Sequence, residues 1–202
     1  MRARITFYYD VVCPWAFLAS TRIESVSAAG GAALLWQPIL LGGLLRALGT
    51  PEPMSTMSEN KLRMGRLDLA RWADHLGVAL RYPAQHPRRT LEAMRLLTAT
   101  SDPARRAQLS HALYRAYWQE GADVADPAVL DRIYGAPTQP VVSDPGVKDA
   151  LRDATEAAAQ AGLFGVPSFV CETDDGARFL FWGQDRLPFV EQVLAGWRPR
   201  SG

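Results

Sequence analysis

The first forty residues constrain the fold more than anything else in the chain. Residues 3–9, Ala-Arg-Ile-Thr-Phe-Tyr-Tyr, are rich in β-formers and predict a buried strand. Asp10 to Pro14 reads as a loop. Pro14 suits the first turn of a helix, where a missing N–H costs nothing. Trp15 to Ala28 continues that helix, and Gly30-Gly31 stops it. Ala33 to Gln37 predicts a second strand, followed by Pro38. A β-α-β run in about forty residues is the parallel unit of an α/β fold.

The middle of the chain changes character. Pro51, Pro53 and Ser55 mark a loop. From Ser58 to Leu76 the apolar positions Leu62, Leu69, Trp72, Ala73 and Leu76 follow a helical period, with Gly77 as terminator. Asp102-Pro103, Asp126-Pro127 and Asp144-Pro145 each offer an N-cap aspartate with proline at the first helical position. The first and last of these segments end near Gly121 and Gly162. Gly42-Gly43 reads as a turn. Residues ~55–160 are therefore expected to be helical. Strands return at Pro167–Glu172 and Ala177–Trp182, joined by the hairpin signal Asp175-Gly176. A helix over Gln184–Leu194 closes the chain.

Composition narrows the function classes. The chain has 202 residues, 48% of them hydrophobic and 21% charged, which is ordinary for a globular protein of one large or two small domains. Twenty-two basic residues against 21 acidic leave a net charge of +1. That balance gives no basic surface for nucleic acid or anionic lipid. No run approaches the ~20 apolar residues of a membrane span. The N-terminal residues read straight into a strand without a signal core. Two cysteines far apart exclude a disulfide framework. The expectation is a soluble, cytoplasmic protein.

Cys13 is the strongest chemical signal. It stands between a strand and a helix start, where unpaired N–H groups and the helix dipole favour thiolate over thiol. The other reading is a small buried hydrophobe. The motif is Cys13-Pro14-Trp15-Ala16, so no resolving thiol follows in the helix. Val166-Pro167 is either a cis bond in a tight turn or an ordinary strand-start proline. Asp185 either caps the last helix or binds the ammonium of an amino acid head group. Lys61 is either a solvated surface charge or a ligand contact, and Asn60 either a polar contact or a cap. His75, His86 and His111 lack metal spacing and read as structural or surface residues. Trp36, Trp72, Tyr114, Tyr117 and Trp118 read as core, with some free to line an apolar pocket.

Together these stretches resemble the DsbA-like branch of the thioredoxin fold. The finer resemblance is to 2-hydroxychromene-2-carboxylate isomerases and their relatives, the kappa-class glutathione transferases. It rests on Phe7-Tyr8-Tyr9-Asp10 into Cys13-Pro14-Trp15, Gln37 to Gly43, Lys61 with Asp68-Leu69-Ala70-Arg71, and Thr90 to Arg95. Gly162 to Phe169 and Phe181 to Leu187 complete it. The resemblance implies an α/β, thioredoxin-like fold with a large all-helical insertion. Residues 1–45 and 160–202 would form the thioredoxin-like domain, and residues 46–159 the insertion.

The resemblance also implies roles. Glutathione, or another low-molecular-weight thiol, is the expected cofactor, and a small aromatic pyruvate the expected substrate. Cys13 falls where these enzymes have a serine that hydrogen-bonds the glutathione sulfur. Val166, before the cis position Pro167, would pair with the cysteinyl part of glutathione. Asp185, with Gln184 or Arg186, would hold the γ-glutamyl end. Asn60 and Lys61 would reach in from the insertion, and Trp15 would shape the pocket mouth. A homodimer is expected. The cysteine at position 13 keeps two alternatives open: a kappa-like glutathione transferase and a single-cysteine thiol-disulfide oxidoreductase. A non-catalytic binding protein of the same fold would show an unreactive Cys13 and no affinity for glutathione.

Overall fold

A computed structural model describes residues 2–51 and 53–200. The chain opens with β1 (Arg4–Tyr9), α1 (Pro14–Ser20), α2 (Ile23–Ala29) and β2 (Ala33–Pro38). Helices follow: α3 (Leu41–Ala47), α4 (Pro53–Thr56), α5 (Glu59–His75), α6 (Leu91–Ala99) and α7 (Pro103–Arg115). A π-helical turn, Ala116–Glu120, prolongs α7, and α8 (Pro127–Tyr134), α9 (Gln139–Ser143) and α10 (Pro145–Gln160) complete the insertion. Then come β3 (Ser168–Glu172), β4 (Arg178–Trp182), a 3-10 turn at Gln184–Arg186 and α11 (Leu187–Leu194).

Among the described residues the strands form one sheet in the order β2-β1-β3-β4. β1 and β2 are parallel, and β3 runs antiparallel to both β1 and β4. This is the thioredoxin-like arrangement, β-α-β followed by β-β-α, with helices inserted between the halves. β1 lies inside the sheet, and the face that carries its alternate residues 5, 7 and 9 is covered. Ile5, Phe7 and Tyr9 are fully buried. Phe7 stacks on Phe169 at 5.4 Å and meets Trp36 edge-on at 5.0 Å. Burying a ring of that size is worth roughly 2–3 kcal/mol. Helix α7 covers this face, with Ser110 hydrogen-bonded to the Tyr9 hydroxyl at 2.6 Å.

All three Asp-Pro signals start helices. Asp102 accepts from the Arg105 N–H, Asp126 from Ala128 and Asp144 from Val147. Ser58 caps α5 by accepting from the Lys61 N–H, so Asn60 is a helical residue and not the cap.

Three local expectations are corrected. The helix expected over residues 15–28 breaks at Thr21-Arg22. There the Ser20 and Thr21 hydroxyls bond back to the Phe17 and Leu18 carbonyls, competing with the helical ladder. The last helix splits into a 3-10 turn and a helix that begins at Leu187, because Pro188 in its first turn has no N–H to continue the ladder back to residue 184. Gly42 and Gly43 lie inside α3 and are not a turn. A Cβ at Gly43 would sit 3.3 Å from the Thr155 methyl, so the residue serves the close approach of α3 to α10.

Candidate active site at the end of the central strand

The chain leaves β1 at Tyr9 and turns through Asp10 into α1. The turn is held by Asp10. One carboxylate oxygen accepts from the Val12 N–H at 3.1 Å and from the Thr90 hydroxyl at 2.8 Å. The other accepts from the Leu41 N–H at 2.9 Å. A single buried side chain thus joins the α1 entry, the start of α3 and the start of α6. Burial pushes the Asp10 carboxyl above the ordinary value, and these three donors pull against that shift. The indole N–H of Trp118 donates to the Val11 carbonyl at 2.8 Å, fixing the same turn from the insertion.

Cys13 is the N-cap of α1 and lies only 6% exposed. Its thiol donates to the Val166 carbonyl at 3.2 Å. The Val166–Pro167 peptide bond is cis. Expectation and structure part here. The helix start favours a thiolate, and the Ala16 and Trp15 N–H groups do pull that way. Burial outweighs them and pushes the thiol up to about 12. Cys171 is also a buried free thiol, in β3.

A cavity of about 630 Å³ opens beside this turn. One wall is the face of α5 carrying Lys61, Leu62, Gly65, Arg66 and Leu69, which recur at helical spacing. The opposite walls are Trp15, Leu40 and Leu41, the segment Phe164–Val166, and the 82–91 loop. Phe164 and Trp182 pack together at 4.8 Å with both rings about half exposed, forming a lip. Gly165 has no side chain because a Cβ there would lie 2.8 Å from the Trp182 indole nitrogen.

The cavity is apolar in area and cationic in charge. Arg46, Lys61, Arg66, Arg88 and Arg89 line it, and the buried Asp10 is the acidic residue among the lining groups. Arg89 is paired with Glu92 at 2.7 Å. The Arg66 guanidinium lies 5.6 Å over the Tyr82 ring.

Of the residues singled out in the sequence, Cys13, Trp15, Lys61 and Val166 line this cavity. Pro167 stands directly behind Val166. Asn60 is exposed, next to Lys61 in the first turn of α5. The 3-10 turn of Gln184, Asp185 and Arg186 lies outside the cavity wall. Gln184 is buried, and both its carbonyls take hydrogen bonds from Arg22. Asp185 is exposed and pairs with Arg186. It is not a helix cap, since the α11 N-cap position is Arg186.

Two residues that line the cavity have no role legible in the sequence. Asp10 reads as the start of a loop and as the end of the aromatic stretch that carries the resemblance, with no role of its own. His86 read as structural or surface, yet it lines the cavity. Its Nδ1 lies 2.9 Å from the Tyr117 hydroxyl. Burial, then the nearby Arg66 charge, lower its pKa to about 4, so the ring is neutral at pH 7. Of the aromatic residues read as core, Trp36, Tyr114, Tyr117 and Trp118 are buried, whereas Trp72 on α5 is only half-buried and packs against the edge of the core.

Comparison with known proteins places this geometry. Residues 4–195 match the family described as DSBA-like thioredoxin domain. The chain is 27% identical over 200 residues to 2-hydroxychromene-2-carboxylate isomerase of Sphingobium xenophagum, covering 96% of this chain and 99% of that one. It is 26% identical over 206 residues to human glutathione S-transferase kappa 1, covering 94% and 90%. A solved structure of 2-hydroxychromene-2-carboxylate isomerase superposes with a TM-score of 0.81 at 24% identity, covering 95% of this chain and 94% of that one.

Proposed function

The chain belongs to the DSBA-like thioredoxin domain family, and from that premise we propose that it is a glutathione-dependent cis-trans isomerase. Its substrate in this reading is 2-hydroxychromene-2-carboxylate or a similar aromatic pyruvate. The observation that carries the reading is the cavity itself. Its walls are apolar enough for an aromatic ring, and its guanidinium and ammonium groups suit a carboxylate.

The residues present fit glutathione. The tripeptide has two carboxylates, one ammonium and a backbone. Lys61 on the cavity wall offers a cation, and exposed Asp185 an anion. The strand entry at Val166-Pro167 offers main-chain groups beside Cys13. In this reading Asp185, with Gln184 and Arg186 fixing its turn, holds the γ-glutamyl end. Asn60 and Lys61 meet the tripeptide from α5, and Trp15 covers the mouth. Glutathione, when bound, supplies a thiolate that adds reversibly to a conjugated carbon, so that a slow-turning C=C bond becomes single and rotates. The chain contributes orientation through Cys13 and Val166, exclusion of water through Leu41, Leu62 and Leu69, and charge for the substrate carboxylate.

Cys13, buried and weakly acidic, and Ala16, which bears no resolving thiol, disfavour the oxidoreductase reading. A kappa-like transferase uses the same groups and is the second reading, favoured by the 26% identity to the human enzyme. A cytoplasmic homodimer goes with either, and light scattering on the purified protein tests the dimer. The deciding experiment is interconversion of 2-hydroxychromene-2-carboxylate and its open trans isomer, with and without reduced glutathione. Glutathione-dependent turnover supports the isomerase. No turnover, with glutathione bound in calorimetry, moves the assignment to a transferase. No glutathione affinity at all leaves a binding protein of this fold.

A further inference from the structure

Resting on the isomerase reading, we infer that His86 is a catalytic residue, its Nε2–H donating a hydrogen bond to the substrate's ketone oxygen. The argument begins behind the cavity. The Tyr117 side chain is fully buried. Its oxygen accepts from the Arg88 backbone N–H at 2.9 Å. Its own proton therefore needs an acceptor, since a buried hydroxyl left unpaired costs about 1–3 kcal/mol. The Nδ1 of His86, at 2.9 Å, is that acceptor. An Nδ1 that accepts carries no proton, so the neutral ring bears its hydrogen on Nε2.

The ring is also held in place. Tyr82 and Trp118 each approach it at 5.0 Å, and Tyr117 at 5.9 Å. Trp118 is the residue that anchors Val11, so one aromatic cluster sets both His86 and the Cys13 turn. Among the described residues Nε2 has no protein partner, and His86 lines the cavity. The groups around it, Arg66 from α5, Tyr82 and Arg88 from its own loop and Tyr117 from the π-helical turn, include no carboxylate that would draw a second proton onto the ring.

A donor is needed at this point in the chemistry. When a thiolate adds to the conjugated carbon, a C–S bond forms and the C=C π bond breaks. The displaced electron pair moves to the ketone oxygen, which becomes anionic. Reversal returns the pair, re-forms the double bond and releases the thiolate. Nothing is oxidised, and His86 keeps its proton throughout. A neutral imidazole N–H fixed in advance stabilises such an oxygen without reorganisation.

The test uses the intact protein with reduced glutathione and three readouts. His86→Leu should lower kcat for isomerisation about 100-fold, the usual loss for one such donor. Its glutathione affinity should stay unchanged, and His86→Gln should recover part of the rate. Benzylpyruvate, a saturated keto acid with no bond to isomerise, should bind more weakly to His86→Leu than to wild type by calorimetry. Nitrogen-15 NMR should show the Nε2–H form of His86, and Tyr117→Phe should release it to mixed tautomers. Unchanged kcat and unchanged benzylpyruvate affinity in folded His86→Leu would overturn the inference, as would an Nδ1–H ring in wild type. If wild type fails to isomerise but His86→Leu still loses benzylpyruvate, the isomerase reading falls and the donor role stands. Should His86→Leu not fold, the tautomer in wild type and in Tyr117→Phe decides.

Discussion

The Asp10 carboxylate accepts a hydrogen bond from the Thr90 hydroxyl at 2.8 Å, across eighty residues of chain. The contact joins the end of β1 to the N-cap of α6, and the same carboxylate holds Val12 and Leu41. Asp10→Asn should destabilise the protein by about 1–3 kcal/mol, because an amide N–H₂ would face a backbone N–H that needs an acceptor. Thr90→Ala leaves the carboxylate intact with two donors and should cost about 1 kcal/mol. Urea denaturation of both variants checks the order. An Asp10→Asn variant as stable as wild type would remove Asp10 from its organising role.

Cys13 should be slow to react in the native state. With its thiol pushed up to about 12, almost none is thiolate at pH 8, whereas an ordinary cysteine titrates near ~8.5. Iodoacetamide should label the unfolded chain quickly and the folded chain far more slowly, with a rate still rising above pH 9. Cys13→Ser keeps a donor to the Val166 carbonyl and should retain the fold and activity. Cys13→Ala loses the donor and should cost about 1 kcal/mol. Fast labelling at neutral pH would restore the thiolate reading.

Gly65 is a test of the α5 wall. A Cβ there meets nothing within 4 Å, and the residue is helical. Gly65→Ala should therefore stabilise the protein by about 0.5–1 kcal/mol, the ordinary gain over glycine in a helix interior. Gly65→Phe should fill the cavity and raise KM for an aromatic substrate while leaving thermal stability near wild type. Thermal melts and steady-state kinetics on the two variants separate these effects.

Acid should weaken the fold through His86. Its folded pKa, about 4, lies below the unfolded value near 6.5. Between these values the unfolded chain binds more protons than the folded one. The stability that depends on a neutral His86 is thus complete above pH 6.5 and is lost as pH falls toward 4. Tm measured from pH 7 to pH 4.5 should fall, and the slope should be shallower in His86→Leu. Equal slopes would show that His86 titrates normally.

Local signals carried most of the fold. The Asp-Pro pairs at 102, 126 and 144 start helices because capping and proline geometry act over three or four residues. The breaks at Thr21-Arg22 and before Leu187 do not show in the sequence because helical periodicity continues across them. The site was half legible. Cys13, Trp15, Lys61 and Val166 meet at one cavity. Asp10 ends a stretch that carries the resemblance but has no role legible in it, and His86 lies in no motif; each matters through partners distant in sequence, Thr90 and Leu41 for one, Tyr117 and Arg66 for the other.

The sequence by itself determined the order of the four strands and the three Asp-Pro helix starts, because dihedral preference, capping and hydrophobic period are set by neighbours along the chain. It also placed a cysteine at a helix start with no second thiol in that helix. Only the tertiary structure decided what that cysteine and His86 are chemically. The acidity of a group depends on how much water its neighbours remove and which donors they aim at it. For Cys13 those neighbours include Val166 and Asp10, and for His86 they are Tyr117, Trp118 and Arg66. They come from separate elements, so burial overrides the helix start at Cys13 and keeps His86 neutral.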